Sequence, residues 1–417
     1  MILSEVIARN TTGEITNEIF KDKAKKRVTD FTRNRIMPFE ELMLFVLLSV
    51  KSSTQSSLRR FFTIIGKTTK MKQQSLSEAR RKINVSAFVR LFRISEQTMT
   101  AYCVKKWHGY RVYAVDGSKI QLPCDKTLLE YYGALGKDNT SPTAQASALY
   151  DVLNDIVCDA AIEPLCVDER TLAKKHIDVL KTIAKGDKKL LLGDRGYPSF
   201  ELIEELVTNG MSYLFRVKRK FNVDIDNQTK SDGYIWLRSG VKRIHVRVIK
   251  FKLDSGEEEA LITNISDRRL GVNAFKKLYF MRWPVEGKYD VIKNKLQLEN
   301  FNTRSIEGIQ QDFFAAMYLS NFAASCAIDV KSEIDSAREY KENKYEYKAN
   351  MNEVIGVLKD RLVLALTKDD PSEQAAIIQS ILDEISSYVV PIRPDRSTPR
   401  NPSPRKCNFH HNQKANC

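Results

Sequence analysis

The sequence contains no uninterrupted apolar run long enough to cross a membrane. Its longest uninterrupted apolar run is Leu42 to Leu48, whereas a spanning helix needs roughly 20 residues. It also opens without the charged and then apolar leader that precedes a secreted protein. We therefore expect a soluble, cytoplasmic protein with no membrane partner.

Residues suited to nucleophilic or redox chemistry are few and scattered. The seven cysteines are odd in number and far apart, which favours a reducing compartment over a disulfide framework. The five histidines show no local Ser/His/Asp or Cys/His arrangement, so we set nucleophilic catalysis aside. In the tail, Cys407, His410, His411 and Cys417 have poor spacing for zinc. That basic, proline-rich tail is expected to be disordered from residue 391 onward.

Acidic residues are scarce in the first quarter of the chain. Residues 1–110 hold 21 Lys plus Arg against 9 Asp plus Glu, so this segment carries +12 of the net charge of +15. Such a concentration of positive charge indicates a surface that binds a polyanion. Anionic lipid is a weaker alternative, because no amphipathic stretch with aromatic anchors accompanies the charge.

Two short helices in this basic segment have the proportions of a helix-turn-helix. Gly66 lies between them, and Ser75 with Glu78 is a candidate capping box for the second helix. In that arrangement Arg80, Arg81 and Lys82 project toward DNA. The alternative is a small helical bundle with a solvated basic face.

The richest motif lies between Tyr279 and Leu296. Tyr279, Arg282, Glu286 and Lys293 are spaced three, four and seven residues apart, which places them within an arc of roughly 60° on one helix face at about 100° per residue. A phenol and two cations around one carboxylate suit a phosphate held near a metal. An exposed helix with fortuitous ion pairs is the alternative. Since Pro284 has no N–H, we expect a kink or a new helix that starts near Trp283.

Two further carboxylates close predicted strands. Asp116 ends the run RVYAVDGS and Asp194 ends KKLLLGDRGY, and a Gly-containing turn follows each. At one edge of a sheet such side chains approach each other, and their repulsion is tolerable when a cation lies between them. Asp116, Asp194 and Glu286 would then form an all-oxygen site for hard divalent ions.

With these residues in place, the chain resembles the DDE-type transposases of bacterial insertion sequences. The match is to the subgroup with the Tyr-Arg-Glu-Lys signature, insertion-sequence family four, and covers roughly residues 30 to 330. The resemblance implies two Mg²⁺ ions, replaceable by Mn²⁺, held by Asp116, Asp194 and Glu286. It also implies that Tyr279, Arg282 and Lys293 grip phosphates of double-stranded DNA. A homodimer that pairs two element ends in the bacterial nucleoid is the natural expectation.

Near Tyr110 the spacing of apolar residues changes from the period of a helix to the alternation of a strand. Strand, hairpin, helix and strand then follow in order, which predicts an α/β fold with a mixed sheet and resembles the family's ribonuclease-H-like core. The four predicted segments are a helical DNA-binding domain at 1–107, a catalytic domain at 108–330 with a β-rich insertion at about 219–268, a helical C-terminal region at 331–390 and the tail at 391–417.

Trp236 lies in the predicted insertion, in the stretch GYIWLRSG. In hairpin-forming relatives an aromatic residue on a comparable insertion receives a base flipped out of the duplex, and an indole stacks on any base. A tryptophan in a strand is more often part of the core, so both roles stay open.

The predicted function is a transposase that binds the terminal inverted repeats of its element and then cleaves and transfers DNA strands by a metal-dependent reaction, through a hairpin intermediate as the family implies. One alternative is a ribonuclease-H-like nuclease that cuts without joining. The other is an inactive, sequence-specific DNA-binding protein.

Overall fold

The computed structural model describes residues 2–33, 35–48, 52–135, 140–253, 256–338 and 344–393. The side chains of residues 284–286 lie outside this description, and so does the tail with its Cys and His residues. Buried residues from the N-terminal helices, the sheet and the C-terminal helices form one hydrophobic core. The predicted segments therefore share a core.

The first hundred residues form helices, as the sequence pattern predicts. Asn17 and Ser53 accept hydrogen bonds from the first turns of the helices that follow them. The predicted capping box is wrong, because the fifth helix starts at Gln73 with no side-chain cap and contains Ser75. The six helices are α1 (Leu3–Ile15), α2 (Glu18–Ala24), α3 (Phe39–Leu47), α4 (Thr54–Ile64), α5 (Gln73–Arg80) and α6 (Val85–Tyr102).

A nine-stranded mixed sheet follows, with four helices in its connections. The strands are β1 (Tyr110–Gln121), β2 (Ala134–Leu135), β3 (Ser141–Asp151), β4 (Ile156–Pro164), β5 (Lys188–Gly193), β6 (Ser212–Val217), β7 (Asp232–Ser239), β8 (Lys242–Lys252) and β9 (Glu258–Thr263). The helices are α7 (Lys126–Tyr132), α8 (Glu169–Thr182), α9 (Phe200–Thr208) and α10 (Val223–Asp226). The strand order is β2-β3-β1-β5-β6-β9-β8-β7, and β4 pairs with β3. This confirms the predicted α/β class with a large mixed sheet.

Local sequence explains the connections around the centre of the sheet. Asp155 turns the β3–β4 hairpin with φ +57°, a conformation that short polar side chains tolerate. Asp168 caps α8 by accepting from the backbone N–H groups of Arg170 and Thr171. Strands β1, β5 and β6 are parallel neighbours, so the ends of β1 and β5 open on the same edge.

The β-rich insertion continues the central sheet. Strand β9 pairs antiparallel with β6, and β8 and β7 follow as successive antiparallel strands. Strand β7, the outer strand of the exposed β7–β8 hairpin, thus lies four strand spacings from β5, about 19 Å at roughly 4.8 Å each.

The chain breaks its helix at Pro284, as expected. Helix α11 (Val272–Phe280) ends in a turn, and α12 (Pro284–Asp290) starts with Pro284 as its first residue after Trp283. A π-helical turn, Val291–Lys295, continues α12. The four motif residues therefore come from consecutive segments and do not share one straight helix face.

The C-terminal helices cover the N-terminal ones. They are α13 (Ile306–Asp329), α14 (Lys331–Ser336), α15 (Met351–Leu366) and α16 (Pro371–Ser387), with β10 (Tyr347–Ala349) and β11 (Val389–Pro391) as a separate ribbon. Residues 306–336 have the length and composition of a membrane span, but 78% of the apolar window is buried inside the protein. Helix α13 contacts α1, α6 and β4, which makes it the central core helix.

Candidate active site

The pairing of β1 with β5 brings two predicted carboxylates to the same level. Ala114 pairs with Leu192 in the parallel register, and Asp116 and Asp194 each follow two residues later. The register therefore points both aspartates to the same edge on neighbouring strands, which are spaced about 4.8 Å apart. Both residues are half-buried. The two candidates therefore lie at the same level of adjacent strands. The prediction that Asp116 closes its strand is wrong, because β1 continues to Gln121, whereas Asp194 directly follows the last residue of β5.

The backbone before Asp194 is packed too closely for any side chain at position 193. A Cβ on Gly193 would lie 2.8 Å from the ring of Phe215 on the adjacent strand. After it, the backbone N–H of Arg195 donates to Asp194 Oδ1 over 2.6 Å. Close packing on one side and this hydrogen bond on the other fix the position of the Asp194 carboxylate.

Tyr279 contacts this carboxylate from α11. Its hydroxyl donates to Asp194 Oδ1 over 3.3 Å, and the ring is buried. Burial raises the pKa of Tyr279 to about 12, with Arg282 opposing the rise and Asp194 adding to it. The phenol therefore stays protonated, and a hydrogen-bond donor, at physiological pH.

The other two cations of the motif lie beside the same edge. Arg282 is buried, with its guanidinium carbon 5.9 Å from the centroid of the Tyr279 ring. Lys293 is half-buried, and its ammonium donates to the carbonyl oxygen of Lys119 on β1. Both cations therefore belong to the wall of the site.

Two buried side chains that the sequence analysis missed hold α12 against the sheet. The hydroxyl of Tyr289 donates to the carbonyl oxygen of Asp116 over 3.0 Å. The ammonium of Lys288 donates to Asp155 Oδ1, in the β3–β4 turn, over 2.7 Å. Neither residue type stands out locally, because the bonds span 173 and 133 residues of sequence.

Glu286 lies in α12, between these anchors and the break at Pro284, but its side chain is outside the described part of the structure. Within the described part, no group of three or more His, Cys, Asp or Glu side chains is arranged to hold an ion. The two aspartates nevertheless supply carboxylate oxygens only, which is the donor type that Mg²⁺ takes. The donor chemistry of the two aspartates therefore fits a magnesium ion.

Comparison with known proteins agrees with this geometry. The family model described as "Transposase DDE domain" matches residues 107–322, slightly more than half of the chain. The chain belongs to the DDE transposase family. This confirms the family inferred from the carboxylates and the Tyr279 to Lys293 spacing, while membership of the Tyr-Arg-Glu-Lys subgroup stays a prediction.

Individual relatives align with different shares of the chain. "Putative transposase InsZ" of Escherichia coli (strain K12) is 28% identical over 144 residues, which are 33% of this chain and 46% of that protein. The chain thus spans less than half of this relative. A solved structure titled "Cryo-EM structure of piggyBac transposase synaptic complex with hairpin DNA (SNHP)" aligns over 100% of this chain and 90% of that chain, with 11% identity and a TM-score of 0.47.

The chain also contains a buried Ser/His/Asp arrangement, which the sequence analysis did not find. His176 Nδ1 lies 2.7 Å from Asp159 Oδ2, and His176 Nε2 lies 2.9 Å from Ser147 Oγ. Ser147 is fully buried, so its hydroxyl has no access to DNA. The same hydroxyl lies 3.4 Å from the carbonyl oxygen of Asp116, and the group therefore supports the strand that carries this aspartate.

The predicted basic triplet Arg80, Arg81 and Lys82 divides into buried and exposed residues. Arg80 does not project from α5, because it is buried and its guanidinium pairs with Asp312 over 2.9 Å. It also donates to Gln311 Oε1 and to the carbonyl oxygen of Gly308. Arg81 is exposed and Lys82 half-exposed. The expectation that Arg80 binds DNA is wrong, while those for Arg81 and Lys82 stay predictions.

Trp236 lies on the exposed β7–β8 hairpin, with 42% of its surface accessible. The guanidinium carbon of Arg243 is 4.8 Å from its ring centroid, and the ring of His245 is 4.9 Å away. The core alternative is therefore wrong for this tryptophan. An exposed indole beside a cation is suited to stacking on a base.

Proposed function

We propose that the chain is a DNA transposase that binds the terminal inverted repeats of its own element and catalyses metal-dependent strand cleavage and strand transfer. The observation that carries the proposal is the register that brings Asp116 and Asp194 together, beside the helix that holds Glu286. Membership of the DDE family supports it. The central strands would then be a ribonuclease-H-like core.

In this proposal Asp116, Asp194 and Glu286 hold two Mg²⁺ ions, for which Mn²⁺ can substitute. Bound there, the ions would supply activation of the attacking oxygen and charge stabilisation of the leaving 3′-oxygen. The surrounding side chains would hold the acidic residues in position. Tyr279 orients Asp194 through its hydrogen bond, and Tyr289 fixes the Asp116 backbone to α12.

The cations beside the carboxylates would bind the DNA backbone. Arg282 and Lys293 flank the edge where the aspartates lie, and a guanidinium matches a phosphate with two parallel hydrogen bonds. A pocket of about 630 Å³ lies between α5 and residues 299–307, and the exposed Arg81 and Arg304 line it. We assign the flanking duplex to this surface, together with Lys82, which follows Arg81 in the sequence.

Replacing Trp236 with alanine should weaken the hairpin step. If the indole stacks on one flipped base, its loss costs about 1–3 kcal/mol of that complex. The fluorescence of 2-aminopurine placed next to the scissile phosphate should then report a base that stays stacked in the duplex. Trp236→Phe keeps a stacking ring and is the control; equal fluorescence for wild type and Trp236→Ala would remove this residue from the DNA interface.

Replacing Tyr289 with phenylalanine should slow cleavage by roughly tenfold to a hundredfold, because α12 loses its hydrogen bond to the Asp116 carbonyl and a small misplacement of catalytic groups has large effects on rate. The free energy of unfolding should fall by only about 1 kcal/mol. Single-turnover cleavage and urea denaturation measure the two effects. Tyr131→Phe, at an exposed tyrosine, should change neither; an unaffected rate in Tyr289→Phe would contradict the anchoring role.

The proposed function is tested with linear DNA that carries the terminal repeats flanking the protein's own gene. We expect cuts at the repeat ends in Mg²⁺ and none in EDTA. Hairpin-capped products would establish the hairpin route, and joined products would establish strand transfer. Cuts without any joining would favour a nuclease, and binding without cuts would favour an inactive DNA-binding protein.

A further inference from the structure

An arginine lies at the same level as the two aspartates, on the next strand of the sheet. In the parallel register, Gly193 of β5 pairs with Phe215 of β6. Asp194 and Arg216 each follow one residue later, so they point to the same face of the sheet on strands about 4.8 Å apart. Since β5 lies between β1 and β6, the edge carries Asp116, Asp194 and Arg216 in this order.

A buried glutamate holds this arginine by two hydrogen bonds. Nε and Nη2 of Arg216 each donate to a carboxylate oxygen of Glu259 on β9. The side chain of Glu259 is 6% exposed, whereas that of Arg216 is 24% exposed. Burial raises the pKa of Glu259, and the charge of Arg216 opposes this rise. The pair therefore fixes the orientation of a guanidinium that solvent can reach.

The guanidinium of Arg216 keeps donors for a further acceptor. An arginine side chain has five N–H groups. Glu259 is the only hydrogen-bond partner of Arg216 among the residues that the structure describes, and it uses Nε and Nη2. Both N–H groups of Nη1 are therefore available to a ligand.

A second arginine of the sheet shows how a structural role differs. Arg247 on β8 also makes two hydrogen bonds to one carboxylate, that of Asp232. Arg247 is buried, and its Nη1 and Nη2 also donate to the carbonyl oxygens of Ile265, Asp267 and Leu270. Its guanidinium thus joins segments of the protein. Arg216 has the same kind of carboxylate partner, but it is accessible and its Nη1 is not used in this way.

Arg216 lies between the carboxylates and the β-rich insertion. Strand β6 separates β5, which Asp194 follows, from β9, β8 and β7. A DNA strand that runs along this edge from the aspartates to Trp236 on β7 therefore crosses β6. Burial raises the pKa of Tyr279, and the charges of Arg282 and Arg216 oppose this rise, which agrees with a position of Arg216 beside the proposed phosphate-binding residues.

We propose that Arg216, held by Glu259, binds a DNA phosphate next to the scissile phosphate. The inference rests on the proposed function of the site. A hydrogen bond from a guanidinium to a phosphate oxygen is about twice as strong as one between neutral groups. Because Glu259 orients the guanidinium in advance, less side-chain freedom is lost when the phosphate binds. A link between β6 and β9 alone would not need charge, since apolar residues of similar volume often replace a buried ion pair without loss of stability.

The test compares two double variants of the full-length protein that keep its net charge. Arg216→Met with Glu259→Leu removes the pair at the site, and Arg361→Met with Glu384→Leu removes a partly exposed pair between α15 and α16. Gel-shift affinity is measured for terminal-repeat DNA, both natural and with one neutral methylphosphonate at the scissile phosphate or at either neighbour. Urea denaturation establishes that each variant is folded.

The site variant should bind the natural repeats about tenfold more weakly, the effect of one lost hydrogen bond between charged groups. One methylphosphonate next to the scissile phosphate should weaken binding by wild type to a similar extent. It should have no further effect in the site variant, because both changes remove the same contact. The α15–α16 variant should match wild type with every DNA. Arg216→Lys keeps the charge but not the planar fork, so the same methylphosphonate should have a smaller effect.

The outcomes separate this inference from the proposed function. Wild-type affinity in the folded site variant, or an unchanged methylphosphonate pattern in it, would overturn the role of Arg216. If the site variant does not fold, a wild-type pattern in Arg216→Lys overturns that role instead. An equal loss in the α15–α16 variant does so too. Mg²⁺-dependent cleavage by wild type would in each case preserve the proposed function, whereas a wild-type protein that neither binds nor cuts the repeats would overturn both.

Discussion

Replacing Asp194 with asparagine should abolish DNA cleavage while binding of the element ends persists. The substitution keeps the shape and the hydrogen bond from Tyr279 but removes the charge that would hold an ion at the edge of the sheet. A loss of about 4 kcal/mol in transition-state stabilisation corresponds to a roughly thousandfold slower reaction. Asp116→Asn should behave alike, because the register places it at the same level.

Strand β5 offers a matched control for this experiment. Asp187 lies just before the other end of the strand and pairs with Lys106 over 2.6 Å. Asp187→Asn should therefore cleave at close to the wild-type rate. Gel-shift affinity for the repeat DNA and single-turnover cleavage rate, measured on all three variants, distinguish binding from chemistry. Rapid cleavage by Asp194→Asn would remove this residue from the active site.

Replacing Arg80 with methionine should destabilise the protein by about 3–5 kcal/mol, because it leaves the buried Asp312 carboxylate without its guanidinium. The pair joins α5 to the central helix α13, so its loss weakens the attachment of α5 to α13. Urea denaturation followed by circular dichroism measures the change. The double variant Arg80→Met with Asp312→Leu should recover much of the lost stability, since it removes both buried charges.

Arg81 provides the comparison for Arg80, because it is the next residue and is exposed. Arg81→Met should keep wild-type stability but reduce the slope of log affinity against log salt by about one, as expected when one phosphate contact is lost. If Arg80→Met were fully stable and still bound DNA more weakly, the original expectation of a DNA contact at Arg80 would be correct.

The contrast between these two arginines shows what local sequence predicts and what it misses. The helical spacing of residues and the local positive charge predict α5. They do not distinguish Arg80 from Arg81, because the two are adjacent and have the same neighbours in the sequence. The partner of Arg80 lies 232 residues further along the chain. Only the packing of α5 against α13 decides which of the two side chains is buried.

The aspartates were easier to predict than their surroundings. Each aspartate follows a run of apolar strand residues, which periodicity identifies, but only Asp194 lies at the end of its strand, because β1 continues past Asp116 to Gln121. The two aspartates lie at the same level of the sheet because of the register between β1 and β5. The sequence of either strand alone does not determine that register.

The most direct test of the central claim uses Glu286, the acidic residue that α12 contributes. The measurement is single-turnover cleavage of terminal-repeat DNA in Mg²⁺ by wild type and Glu286→Gln, with binding affinity determined in parallel. The account predicts that the variant binds the repeats like wild type and makes no cuts. Cleavage by Glu286→Gln at the wild-type rate would contradict a site formed by Asp116, Asp194 and Glu286.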